Sequence, residues 1–463
     1  MNESGLSAAE WLAFGGNVAV TAGMLIWLFT HRNRVTFWSP PLFIAAIYFY
    51  YVLLGPFLAR EFGDGFDRKL DMRPYYLPAW IASGVGLVCW IAGYYLRGRN
   101  TPRRQAYEID RPIGLPELWR LSIVFNLIGL TSFSLTNGVG TFRLMNPFSL
   151  EMGDAGIAYG GALANYFGMA VNFLIPGCAI LFLIRLRGYG SRVMVATWVV
   201  VAAGIYTSIG FRYRLVLLVA ALTFVYYLHR RKRPNLLLFT VVATVFVMLM
   251  GYIGQTRNYG QGLNLEQSET TWSESLLSGF GEASIFATSG AVITHVPEDR
   301  PLIWAEPIKQ SLIMPIPSSI YTEKATNAYM IETLTAIYGP DYYLGAAYML
   351  FAECYEMFWW PGIILAHFGL GWLCRWLWEW YCHREGKPLA MLVYASALPF
   401  LYVVFSRGYL PQVVMLFTYT VLPAVVLYRW PAKVVRLTPS FGVKPSGRFR
   451  KIERAQEKAA MLP

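Results

Sequence analysis

GFRYRLVLLVAALTFVYYLHRRKRPN, residues 210–235, is an apolar run with arginines at both ends. It is long enough to cross the hydrocarbon of a bilayer as a helix, the form that satisfies every backbone polar group within one segment. Its second end, His229, Arg230, Arg231, Lys232 and Arg233, is a dense basic loop of the kind that anionic lipid heads and the membrane potential hold in the cytoplasm. With that end inside, Arg212 and Arg214 face outward. Basic residues concentrate on inner loops, so an outward pair needs a reason.

The rest of the chain reads the same way. Of its 463 residues, 56% are hydrophobic and 14% charged, against about 25% charged in soluble proteins. The expected fold class is an all-α polytopic integral membrane protein. The formal charge of +12 is distributed in short blocks between apolar runs, which is a topology signal. Nucleic acid is thereby excluded as a partner, and membrane lipids are expected.

Spans of roughly 20 apolar residues are predicted at about 11–30, 41–59, 77–96, 116–136, 162–184, 193–210, 214–228, 236–254, 343–374, 389–406 and 411–428. Of the 39 Lys and Arg residues, 12 then fall on one side and 27 on the other, placing the N-terminus outside and the C-terminus inside. The chain divides into eight helices over 1–254, a long outer loop over 255–342, three helices over 343–430 and a basic cytoplasmic tail over 431–463. A loop of that length is usually functional, and its Trp, Tyr, Ile and Pro content argues for order. Within it, residues 274–296 are apolar enough to dip into the membrane surface, and PIPSSIY at 315–321 reads as a rigid turn. The five cysteines lie within or inside the apolar segments, and no metal-ligand spacing occurs, so neither an outer disulfide nor a metal or other cofactor is expected.

Four arginines gather at outer span ends: Arg212 and Arg214 before the seventh span, Arg257 in GQTRNYGQG and Arg407 in SRGYLPQ, with Arg143 in the second outer loop. A guanidinium keeps its charge when partly dehydrated and grips phosphate oxygens in pairs, so the set suits a lipid pyrophosphate. Snorkelling to head groups is the plain alternative for any one of them. Arg212 and Arg214 stand about 200° apart on a helix, so either the chain is unwound near Gly210 or one of them alone lines a site. Glu353 and Glu356 share a helix face at a depth where an ionised acid is costly. Each is a structural counter-ion to the arginines or a general base for a sugar hydroxyl. Glu282 and His295 are further candidates for that base. Trp272, Trp304, Tyr321 and Tyr329 suit sugar stacking or a membrane-interface belt.

GFRYR heading one helix, TRNYG after the next, a long outer loop with PIPSSIY, and AECYEMFWWPGIILAHFGLG opening a late span resemble the oligosaccharide repeat-unit polymerases of bacterial surface polysaccharide assembly, the O-antigen polymerase type. The resemblance covers about residues 200–375. It departs where Trp360 and Pro361 precede Gly362, and where Ser318 and Ser319 replace a basic residue beside the Pro-x-Pro turn. It implies a metal-independent, inverting glycosyltransferase of GT-C-like architecture in the bacterial inner membrane. Its substrate would be polyprenyl-pyrophosphate-linked oligosaccharide, with a chain-length regulator as a further partner. Glu353 and Arg257 would then be catalytic, and Arg212, Arg214, Arg407, Arg143, Glu356, His295 and Glu282 would bind substrate. A ligase using the same donor, for which an outer-loop histidine such as His295 is the mark, and a lipid-linked oligosaccharide flippase are the alternatives. The flippase would place polar groups near the midplane of several spans.

Overall fold

The computed structural model describes residues 5–30, 38–62, 65–67, 70–97, 114–136, 168–209, 212–232, 234–256, 283–316, 320–321, 328–340 and 346–429. Arg143, Arg257, Glu282, Trp272, the basic tail and the middle of the PIPSSIY turn, residues 317–319, lie outside these residues. Helices occupy each of the eleven stretches predicted to be apolar: α1 Ala8–Thr30, α2 Pro40–Phe62, α3 Tyr76–Arg97, α4 Leu115–Thr136, α5 Gly168–Leu186, α6 Arg192–Ile209, α7 Arg212–Arg230 and α8 Leu236–Thr256. The last three of those stretches hold α12 Leu350–Cys382, α13 Pro388–Ser406 and the pair α14 Leu410–Thr420 and α15 Leu422–Arg429, while α9 Ala283–His295, α10 Glu306–Ile313 and α11 Ala328–Tyr338 lie within the predicted outer loop. A two-stranded hairpin, β1 Phe66–Asp67 with β2 Leu70–Asp71, precedes α3. Among the described residues seven helices are long and apolar enough to cross a membrane, or eight if the bent pair α14–α15 is one span. The protein is therefore an all-α, membrane-embedded chain.

Two of the predicted spans are not single straight helices. The last bends by 45° between α14 and α15. Pro423, near the start of α15, has no N–H to donate and its ring crowds the carbonyl four residues back. The ninth begins at Leu350, and Phe358 and Trp359 leave helical geometry inside it, Trp359 at φ 56°. Pro361 cannot bond to Met357, so the ladder is already broken at this point. The strained tryptophan costs about 1–3 kcal/mol. Glu353 and Glu356 thus stand on a short helical head, separated by a kink from the apolar stretch that follows.

The most extensive helix pairing is α3 against α12. A Cβ on Gly93 would lie 2.0 Å from the Phe368 carbonyl, and one on Gly371 would lie 2.0 Å from the Trp90 carbonyl. Reciprocal glycines let the two backbones touch, which is how helices gain dispersion contact in a medium as apolar as their own side chains. Helix α9 also packs on α3 and α12, with Phe286, Ala287, Ala291 and Val292 fully buried. The described part of the segment expected to dip into the membrane surface is core instead. Its apolar residues cover all sides of the helix, and a helix hydrophobic all round belongs in an interior.

Candidate functional site

Helix α7 begins at Arg212, so the two arginines of FRYR stand on a regular helix and diverge. Arg212 turns to α8, where its Nη1 donates to the Met250 carbonyl at 3.3 Å. Arg214 is buried, 5% exposed, and its Nε donates to the Tyr213 hydroxyl at 3.3 Å. Arg214 is thus buried in the interior and Arg212 half-buried, while Gly210, where the sequence allowed an unwound stretch, lies outside the described residues.

Arg214 meets a second arginine there. The guanidinium of Arg407 lies over the Tyr213 ring at 5.8 Å from its centroid, and that of Arg214 at 5.7 Å. Two cations from elements far apart in sequence are thus held on one aromatic ring, whose negative face offsets part of their repulsion. Their combined field favours an anion in this neighbourhood.

Arg407 belongs to the extended turn 407–409 between α13 and α14, and four contacts fix that turn. Gly408 donates to the Tyr348 carbonyl at 2.7 Å, and a Cβ on Gly408 would sit 2.6 Å from the Met349 carbonyl. Leu410 donates its amide to Glu353 Oε1 at 2.8 Å, and Tyr329 donates its hydroxyl to the same oxygen at 2.7 Å. Tyr329 and Tyr409 pack ring on ring at 5.6 Å. Glu356, three residues on, accepts from Tyr348 at 3.0 Å and from the Thr333 hydroxyl. Burial, reinforced by the carboxylates beside them, holds both the Tyr329 and the Tyr348 phenol well above the usual value, so each stays protonated and donates.

The arrangement bears on the counter-ion expectation for Glu353. Among the described residues Glu353 bonds to a tyrosine and a backbone amide and has no guanidinium as a partner, while Arg143 and Arg257 lie outside those residues. It holds the amide of Leu410, at the end of the turn that begins with Arg407. A cation whose field does reach Glu356 is Arg300, ion-paired to Glu332 at 3.1 Å.

Other expected residues part company. His295 ends α9, with Nδ1 against Asp299 at 2.6 Å and Nε2 against the Tyr75 hydroxyl at 3.3 Å. Among the described residues none of its contacts is with Arg212, Arg214, Arg407, Glu353 or Glu356. Tyr329, a candidate for sugar stacking, is 3% exposed and is spent on Glu353. Trp304 and Tyr321 are exposed. The sequence reading missed Tyr213, Tyr348, Tyr409, Thr333 and Arg300. Only Tyr213 carried a signal, standing between the two arginines of FRYR. No group of three or more His, Cys, Asp or Glu residues is placed to hold a metal ion among the described residues.

The fold and this site define an all-α membrane-embedded protein with paired arginines held at a helix start and a tied interhelical turn. Comparison with protein-family models, curated proteins and solved structures finds no match for the chain.

Proposed function

We propose that the protein joins polyprenyl-pyrophosphate-linked oligosaccharide repeat units into a surface polysaccharide, and that Arg214 and Arg407 hold the pyrophosphate. In this reading all eleven apolar segments span a bacterial inner membrane in a GT-C-like arrangement. The N-terminus is then periplasmic, the C-terminus cytoplasmic and the arginine turn at the periplasmic face. The observation that carries the reading is the convergence of Arg214 and Arg407 on Tyr213.

The chemistry asks for little more. A hydroxyl oxygen of the incoming repeat unit bonds to the anomeric carbon of the lipid-linked glycan from the face opposite the phosphate. The bond from that carbon to the pyrophosphate oxygen breaks with inversion, and the electron pair leaves on the pyrophosphate. The arginines stabilise that growing charge in a poorly hydrated site, where each preorganised donor contributes about 3 kcal/mol. Glu353 serves by fixing the turn from which Arg407 projects, so it is a positioning residue. The hydroxyl proton passes to a base outside this set.

The test is the length and sidedness of lipid-linked glycan in cells lacking the protein. Single repeat units accumulating on the periplasmic face support a polymerase. Long chains left on the carrier would make the protein a ligase, and single units trapped in the cytoplasm would make it a flippase.

A further inference from the structure

We propose that α10, a short helix in the connection between α9 and α12, lies flat in the membrane–water boundary with its apolar flank in lipid. The helix is amphipathic in an unusual sense. Its polar Gln310 and Ser311 are buried with Pro307 on the side toward the protein, where α10 packs on α14. The large apolar side chains Ile308 and Leu312, one turn apart, point outward at 44% and 73% exposure. A helix at an aqueous surface would place them the other way round.

The neighbouring residues say what covers that flank. Trp304, just before α10, is exposed and its ring meets Phe358 at 6.1 Å. Phe358 and Trp359 are themselves exposed and mark the kink from which the apolar stretch of α12 departs, carrying the exposed Ile364 and Leu365. The exposed side chains Leu312, Ile308, Trp304, Phe358 and Trp359 thus lead, through the Trp304–Phe358 contact, to the exposed apolar face of a membrane-span-capable helix. Both tryptophans also sit at positive φ, 50° and 56°. A bulky residue persists in that conformation only where its surroundings compensate. Indole rings are most favourably placed at the head-group level, where the ring is in apolar surroundings and the N–H finds a polar partner, as that of Trp359 does in the Tyr355 hydroxyl at 2.7 Å. Lys309, exposed on the same helix and ion-paired to Glu306 at 3.4 Å, is long enough to reach phosphate from that depth. The occupant is the bilayer itself, and nothing in this inference depends on the proposed reaction.

The full-length protein in nanodiscs of phosphatidylethanolamine and phosphatidylglycerol provides the test. Spin labels are placed at Leu312→Cys and, for comparison, Lys309→Cys, with the half-buried Cys89 and Cys382 replaced by serine. Collision rates with oxygen, which partitions into lipid, and with a water-soluble nickel chelate are then compared. The label at 312 is expected to favour oxygen severalfold more than the label at 309. A 312 label as open to the chelate as the 309 label would overturn the proposal, because the flank would be in water. A 312 label shielded from both reagents would overturn it as well, because another protein surface would then cover the flank. Ile308→Cys, one turn away, repeats the measurement should the first variant fail to insert.

Discussion

Two buried carboxylates show two ways of keeping an acid inside a membrane protein. Glu10, in the first turn of α1, is 5% exposed and meets the Arg60 guanidinium of α2 at 3.2 Å. Ser7 closes a reciprocal cap on Glu10, its amide donating to the carboxylate and its hydroxyl accepting from the Glu10 amide. Here charge cancels charge, and the product is a stapled helix pair. Glu353 is as deeply buried, yet its bonds go to a phenol and an amide. The carboxylate there fixes the backbone at the end of a turn. The first site joins two helices by opposite charges, and the second ties a turn through neutral donors.

The comparison can be broken in several places. Arg60→Ala strands Glu10 without its partner, and breaking a buried pair costs about 3–5 kcal/mol. Melting in detergent should fall markedly, while the arginine site should be intact in whatever protein still folds. Arg214→Ala and Arg407→Ala should each leave melting little changed and cut polymer synthesis about a hundredfold, read as the length of lipid-linked glycan. Arg212→Ala should be milder, since Arg212 serves the Met250 carbonyl.

Glu353→Ala and Glu353→Gln sharpen the contrast further. Alanine leaves the Leu410 amide and the Tyr329 hydroxyl without their acceptor, a loss of about 1–3 kcal/mol for each buried donor left unpaired, and polymerisation should fall with it. Glutamine keeps an oxygen for both donors, so activity within a few-fold of wild type is expected. Loss of activity in Glu353→Gln with unchanged melting would make the carboxylate a base and not a positioning group.

The smallest effect concerns the hairpin before α3. The Arg73 side chain donates to Asp71 at 2.8 Å and holds its carboxyl below the ordinary value. A depressed folded value means that this contribution to stability is complete above the unfolded pKa, about 4, and is lost as pH falls through the folded one. Both side chains are substantially solvated, so solvent screens most of the effect. Asp71→Asn should flatten slightly the fall in melting temperature below about pH 4.

What the sequence reveals and what it hides follow from range. Each apolar stretch carries its own instruction to be helical, because backbone groups in lipid have no other partner, so the helices appear where hydropathy puts them. FRYR announces the arginines by charge alone, and helical periodicity limits them to opposite faces. The kink at Phe358 and Trp359 is half legible, in Pro361. The partners of Glu353 are not legible at all: Tyr329 and Leu410 lie 24 and 57 residues away. A buried glutamate next to a hydroxyl and one next to an arginine have the same sequence neighbours. The burial of α9 was hidden for a related reason, since an apolar helix of 13 residues suits a membrane surface and a protein core equally well until its neighbours are known.

The most direct measurement is the shift in melting temperature of the detergent-solubilised protein on titration with a polyprenyl pyrophosphate, for wild type and for the double variant Arg214→Ala/Arg407→Ala. A ligand that binds only the folded state raises its stability in proportion to the logarithm of its concentration above Kd. Wild type should show a rise that grows with ligand, and the double variant should show none while melting near the wild-type temperature without ligand. Equal shifts in the two proteins would contradict the assignment of the pyrophosphate to these arginines.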